Sequence, residues 1–160
     1  MSSSTLTDEE SKVLIAGALK ARDAAYCPYS DFRVGACLLA DTGVFFMGCN
    51  VENASYGGTI CAERTAVVKA VSEGARRFRA IAVATDLNEA CSPCGLCRQV
   101  LREFMPQEAP ILLVIPAHAD AQGQAVEVQT ISSSMAALLP MSFGPEHLDK
   151  PRNAPSVTTG

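Results

Sequence analysis

The chain reads as an α/β domain in which helices are layered on a mixed β-sheet. Three observations predict this. Segments with helical apolar spacing alternate with short, apolar, β-favouring runs. Their order is α-β-β-α-β-α-β-β-α. No repeat, linker or shift of composition divides the 160 residues, a length that suits one domain with a substantial core. The hydrophobic share of 48% agrees with that core.

Each element has a local cause. Thr7-Asp8-Glu9-Glu10 is a capping box, in which the threonine hydroxyl accepts from an early helix amide while Glu10 reaches back. A helix is predicted from there to about Ala25, ended by Cys27-Pro28-Tyr29-Ser30. Phe32 to Ala40 and Val44 to Val51 form a hairpin turning at Asp41-Thr42-Gly43. A loop containing Gly57-Gly58 leads to a second helix beginning near Cys61. There Ala66, Val67, Ala70 and Val71 recur at helical spacing, and Gly74 marks the exit. Ala80 to Ala84 is a buried strand, Leu96 to Met105 a helix, and Ile111 to Ile115 another buried strand. Ala125 to Gln129 alternates like an edge strand. Ser132 or Ser133 is the expected cap of a short last helix ending at Leu139-Pro140. The first few residues and the tail from about Lys150 are expected to fray.

Composition excludes several roles. The formal charge of −4 opposes broad affinity for nucleic acid, which needs clustered Lys and Arg. Arg76, Arg77 and Arg79 are the one basic cluster, expected at a solvated helix end. No apolar run approaches the roughly 18 residues of a membrane span, and Met1 to Thr5 lacks the features of a secretory signal. Seven cysteines without such a signal point to metal binding in a reducing, cytoplasmic setting, not to a disulfide framework. Cys27, Cys37 and Cys49, in or beside apolar strands, are expected to act as small buried hydrophobes.

The remaining cysteines carry the chemistry. Cys61-Ala62-Glu63-Arg64 and Pro93-Cys94-Gly95-Leu96-Cys97-Arg98-Gln99 each stand where a loop or strand feeds a helix. Helix N-termini favour thiolate over thiol. Three thiolates leave a zinc ion one open coordination position, as catalytic sites do and structural sites do not. Glu63, in the first helical turn, is the expected proton carrier for a water activated there. Arg64 and Arg98 are expected to hydrogen-bond the sulfurs and reduce their negative charge. Cys91 forms an overlapping C-x-x-C with Cys94 and stands as the alternative fourth ligand of a closed, non-catalytic zinc module. A thioredoxin-like redox pair of Cys94 and Cys97 is a further alternative, which leaves Cys61 and Glu63 without a role.

With these stations in place the chain resembles the small, homotetrameric, zinc-dependent cytidine deaminases. The resemblance runs from about Leu6 to Leu148. It rests on Tyr29-Ser30-Asp31-Phe32-Arg33-Val34-Gly35-Ala36, on Gly48 to Tyr56, on both cysteine stations, and on Leu138-Leu139-Pro140 followed by Phe143. The three-sulfur ligand set, the glutamate that is not a ligand and the P-C-x-x-C station are features of zinc deaminases. The resemblance implies a three-layer α/β/α sandwich with a mixed five-stranded sheet and one zinc per subunit on Cys61, Cys94 and Cys97. It also implies hydrolytic deamination of cytidine and 2′-deoxycytidine in pyrimidine salvage, with metal-activated hydroxide attacking C4 and Glu63 shuttling protons. By the same resemblance Asn50 and Glu52 hold the ribose hydroxyls, Phe32 packs on the pyrimidine, and Tyr56 and the Ala54 backbone complete the pocket. Phe143 reaches the base from a neighbouring subunit, so active sites are shared. The nearest rival substrate is another aminopyrimidine nucleoside such as blasticidin S. A polynucleotide editor is opposed by the charge balance.

Overall fold

The computed structural model describes residues 6–152; the termini expected to fray fall largely outside that range, and Lys150 to Arg152 are exposed and without regular structure. Five strands form one mixed sheet: β1 (Val34–Ala40), β2 (Phe45–Cys49), β3 (Phe78–Thr85), β4 (Pro110–Ile115) and β7 (Gln129–Ser134). Their order across the sheet is β2-β1-β3-β4-β7. Only β3 and β4 are parallel, joined through helix α3 (Gly95–Phe104). Helix α1 (Asp8–Asp23) covers one face; α2 (Ala62–Ser72) and α3 cover the other. This is the three-layer α/β/α arrangement.

Strand alternation sorts the core into two halves. Cys37 and Leu39 of β1 pack with Leu14 and Ala18 of α1, whereas Ala36, Leu38 and Ala40 pack with Ala66, Val67 and Ala70 of α2. Two glycines let helix backbones lie directly on the sheet. A Cβ on Gly35 would stand 2.1 Å from the Ala18 carbonyl oxygen of α1, and one on Gly48 would stand 2.3 Å from the Ala66 nitrogen of α2. The helix carrying Cys61 and Glu63 is thereby pressed onto the hairpin.

The capping box at α1 forms as expected, with Glu10 N–H donating to Thr7 Oγ1 at 3.2 Å and Thr7 N–H to Glu10 at 3.0 Å. Arg79 lies within β3, not at a helix end, and pairs with the same Glu10. Of the three cysteines expected in the core, only Cys37 is buried; Cys27 and Cys49 are half-buried, and the Cys49 thiol donates to the Ala24 carbonyl.

The C-terminal third departs from expectation. Ala125 to Gln129 is not one edge strand. Ala125–Val126 (β6) pairs with His118–Ala119 (β5) in a separate ribbon, and the edge of the main sheet is Gln129–Ser134. Ser132 and Ser133, expected as helix caps, pair with Leu112 and Ile111 of β4. The cap of α4 (Met135–Leu138) is Ser134, whose hydroxyl accepts from Ala137 N–H at 3.2 Å. An edge strand can be built of serines because its register is fixed by the partner's backbone and one side is left to solvent.

Candidate active site

Cys61 and Cys94 are the N-cap residues of α2 and α3, and neither side chain is engaged in capping its helix. Cys97 follows within the first turn of α3. The three sulfurs lie within 4.8 Å of one another, and the Cys61 and Cys94 sulfurs are 4.0 Å apart. Adjacent corners of a tetrahedron with metal–sulfur bonds of about 2.3 Å stand about 3.8 Å apart, so the donor set fits one zinc ion. Among the described residues no fourth His, Cys, Asp or Glu joins the cluster. Cys91 is close enough for the Glu63 charge to raise its thiol pKa, after burial as the larger cause, yet it stands outside the group.

Proton sharing within the cluster splits its thiols. The Cys61 pKa is lowered, first by the hydrogen bond from Cys97 and then by Arg64, while Cys97 is raised by the same shared bond and by burial. Arg64 directs Nη2 at the Cys61 sulfur, 3.7 Å away, and at the Thr59 carbonyl at 3.3 Å. Arg98 behaves differently from expectation. Its guanidinium bonds the Pro93 carbonyl at 2.6 Å, the Ser92 hydroxyl at 2.7 Å and the Leu138 carbonyl at 2.8 Å, not a sulfur. From the second turn of α3 the side chain folds back along the helix, in the direction long helical side chains favour. It clamps the loop that delivers Cys94.

Glu63 is 4% exposed, and its pKa is raised, chiefly by burial and then by the Cys61 charge. It lines a cavity of about 290 Å³ together with Cys61, Cys94, Phe32, Asn50 and Glu52. Ser30, Val34, Thr59, Val83, Thr85, Cys91 and Ser92 complete the wall. The sequence reading left these unassigned as pocket residues. Thr85 had a signal, being the polar residue that directly follows the apolar run Ala80 to Ala84.

Asn50 and Glu52 do more than face the cavity. The Asn50 amide accepts from Val34 N–H at 2.8 Å and donates to the Phe32 carbonyl at 2.9 Å, extending the hairpin ladder through a side chain. Glu52 accepts from Tyr29 N–H at 2.9 Å, Ser30 N–H at 3.2 Å and the Ser30 hydroxyl, which together hold its carboxyl below the usual range. Both residues therefore fix the loop that carries Phe32.

Tyr56 is 73% exposed and lies at an adjoining opening with Tyr29, Ser30, Glu52 and Thr59, its ring centroid 5.8 Å from that of Tyr29. Ala54 lies outside both linings. It is exposed on a bend where the Asn53 side chain accepts from Ser55 N–H at 2.8 Å. Phe143 also lies outside its own chain's cavity. It is 57% exposed and stacks on His147, and its carbonyl accepts from Gln99 at 3.1 Å.

Fold and site together define an α/β/α domain with an open three-sulfur metal site and a buried carboxylate beside it. The sequence matches the family model of the cytidine and deoxycytidylate deaminase zinc-binding region over residues 8–113. It is 47% identical to a cytidine deaminase of Sporosarcina psychrophila over 84% of this chain and 92% of that protein. It is 45% identical to a probable cytidine deaminase of Dictyostelium discoideum over 89% of this chain and 90% of that one. The crystal structure of cytidine deaminase from Burkholderia pseudomallei aligns with a TM-score of 0.69 at 43% identity, covering 82% of this chain and 98% of the other. That of Mycobacterium tuberculosis aligns at 0.66 and 38%, covering 86% and 98%. The chain belongs to the cytidine and deoxycytidylate deaminase family, whose zinc-binding region it carries.

Proposed function

We propose that this chain hydrolyses cytidine and 2′-deoxycytidine to uridine and 2′-deoxyuridine with release of ammonia; its relatives are named for the deamination of cytidine. The observation that carries the reading is a buried carboxylate, Glu63, facing the same cavity as two of three clustered sulfurs. A zinc ion held by Cys61, Cys94 and Cys97 supplies the Lewis acidity that lets water ionise near neutral pH. Glu63 takes a proton from the attacking water and gives it to N3 of the pyrimidine. It then takes the remaining proton from the hydroxyl on the tetrahedral C4 and passes it to the amine, so that the C4–N bond breaks, the carbonyl forms and ammonia leaves. Such shuttling is worth about 10² to 10⁴ in rate.

The other residues position and tune. Arg64 withdraws charge from the Cys61 sulfur, and Arg98 holds the Ser92-Pro93 approach to Cys94. An amide has two donor hydrogens and two acceptor lone pairs. With one donor and one acceptor committed to the backbone, Asn50 keeps one of each for a ribose hydroxyl. Glu52, with three of its about four lone-pair sites taken by Tyr29 and Ser30, offers the remaining one on Oε1 to the same diol, and Phe32 lies against the base. Tyr56 borders the outer opening on the sugar side.

Phe143 serves the site of a neighbouring subunit in a homotetramer. Its exposure beside Met141 and Leu148, with Leu96 also exposed, supports an apolar contact surface there. The cytoplasm suits the chain, since all seven cysteines are free of disulfides. Among the described residues no helix is long and apolar enough to cross a membrane.

The test is the ultraviolet absorbance of cytidine and 2′-deoxycytidine incubated with purified protein whose zinc content is measured alongside. Conversion of either nucleoside with matching ammonia release supports the reading. A zinc-loaded sample that leaves both untouched overturns it.

A further inference from the structure

Thr85 is a polar residue in a place where an apolar one would complete the core. It ends β3, is 3% exposed and lies on the cavity wall. Alternation along β3 puts its side chain on the same face as Val83, which packs in the layer beneath α2 and α3. Its Oγ1 accepts from Leu87 N–H at 3.1 Å, which fixes the rotamer. Cross-strand from it is Val34, whose N–H the Asn50 amide holds.

The position of Thr85 relative to Glu63 decides what it faces. Helix α2, carrying Glu63, packs over β2 and β1, and Asn50 and Glu52 follow β2. Thr85 and Val83 belong to β3, on the far side of β1, and Cys91 lies in the loop that leaves β3. In a pyrimidine nucleoside, N3 and C5 flank C4 on opposite sides. If Glu63 is to protonate N3 while Asn50 and Glu52 hold the sugar, C5 must turn away from α2, towards β3. The wall waiting there consists of Val83, Thr85 and Cys91.

We propose that Thr85 is a specificity-determining residue that closes the pocket against substituents at C5 of the pyrimidine. The inference rests on the deaminase reading above. The branched side chain, locked by its bond to Leu87 N–H, leaves no freedom to swing aside for an added methyl group.

The experiment compares kcat/KM for 5-methylcytidine with that for cytidine in the unaltered protein, Thr85→Ala and Thr85→Val. The ratio of the two substrates does not depend on how much of a variant is folded, so a destabilised Thr85→Ala preparation still answers. Room for one methyl group is worth about 10- to 200-fold in discrimination, so Thr85→Ala should raise the ratio at least about tenfold. Thr85→Val, which preserves the shape, should leave it near that of the unaltered protein. A Thr85→Ala ratio equal to the unaltered protein's, or a Thr85→Val ratio that rises as far as the alanine's, overturns the proposal. Failure of the unaltered protein to consume cytidine at all instead removes the deaminase reading on which it stands.

Discussion

The sulfurs of Cys61 and Cys94 lie 4.0 Å apart although the two residues stand at the N-cap positions of different helices. The site therefore exists only while α2 and α3 are docked, and the positive dipole ends of both helices lie at the same sulfur cluster. An ion bound there reinforces the packing of α2 against α3, which share one apolar cluster, so metal binding and docking of these helices stabilise each other.

Cysteine replacement tests the ligand set. Cys97→Ala should lose most of the bound zinc, measured by elemental analysis of the purified protein. Cys91→Ser should keep it, because Cys91 stands outside the sulfur cluster. X-ray absorption of the unaltered protein should show three sulfur neighbours and one lighter atom at the zinc. A fourth sulfur, or zinc loss in Cys91→Ser, would favour a closed structural module.

Gly48→Ala probes the pressing of α2 onto the hairpin. The added Cβ would meet the Ala66 nitrogen at 2.3 Å and the Ala62 carbonyl oxygen at 2.7 Å, both backbone atoms unable to rotate away. Overpacking of this kind costs about 1–3 kcal/mol or more. Urea unfolding should show that loss, whereas Gly43→Ala, at a position with open space but φ +86°, should report only the backbone cost of a left-handed turn. A Gly48→Ala protein as stable as the original would contradict the close crossing.

Glu10 makes stability depend on pH. Hydrogen bonds from Arg79, then from Thr7, lower its pKa from 4.5 to about 2. A carboxyl depressed in the folded state stabilises fully above its unfolded value, and that contribution is lost as pH falls through 4.5 towards about 2. Glu10→Gln should therefore melt below the unaltered protein near neutral pH, with the gap narrowing below about pH 4. Both proteins are compared free of metal, so that zinc release does not contribute. A gap that stays constant across the window would remove Glu10 as the cause.

Much of this architecture was legible because local chemistry and global packing agree. Thr7 and Glu10 announce α1. Asp41-Thr42-Gly43 announces the hairpin, and the two cysteine stations mark the starts of α2 and α3. The fifth strand was hidden because Thr130 to Ser133 carry little apolar signal beyond Ile131, and only the backbone of β4 recruits them. Site residues joined by backbone bonds were equally opaque. Nothing in the sequence says that Arg98 turns back to Pro93, or that Asn50 and Glu52 brace the Phe32 loop. The pocket role of Thr85 depends on the order β2-β1-β3, which is a property of the assembled sheet.

The most direct measurement is a paired assay of the unaltered protein and Glu63→Gln, with zinc content and cytidine consumption read on the same samples. The amide fits the space of the carboxyl but cannot shuttle the proton. The variant should retain zinc and fold while turnover falls by about 10² to 10⁴ or more. A zinc-loaded Glu63→Gln protein that consumes cytidine at the original rate would contradict the role given to this carboxylate and the chemistry built on it.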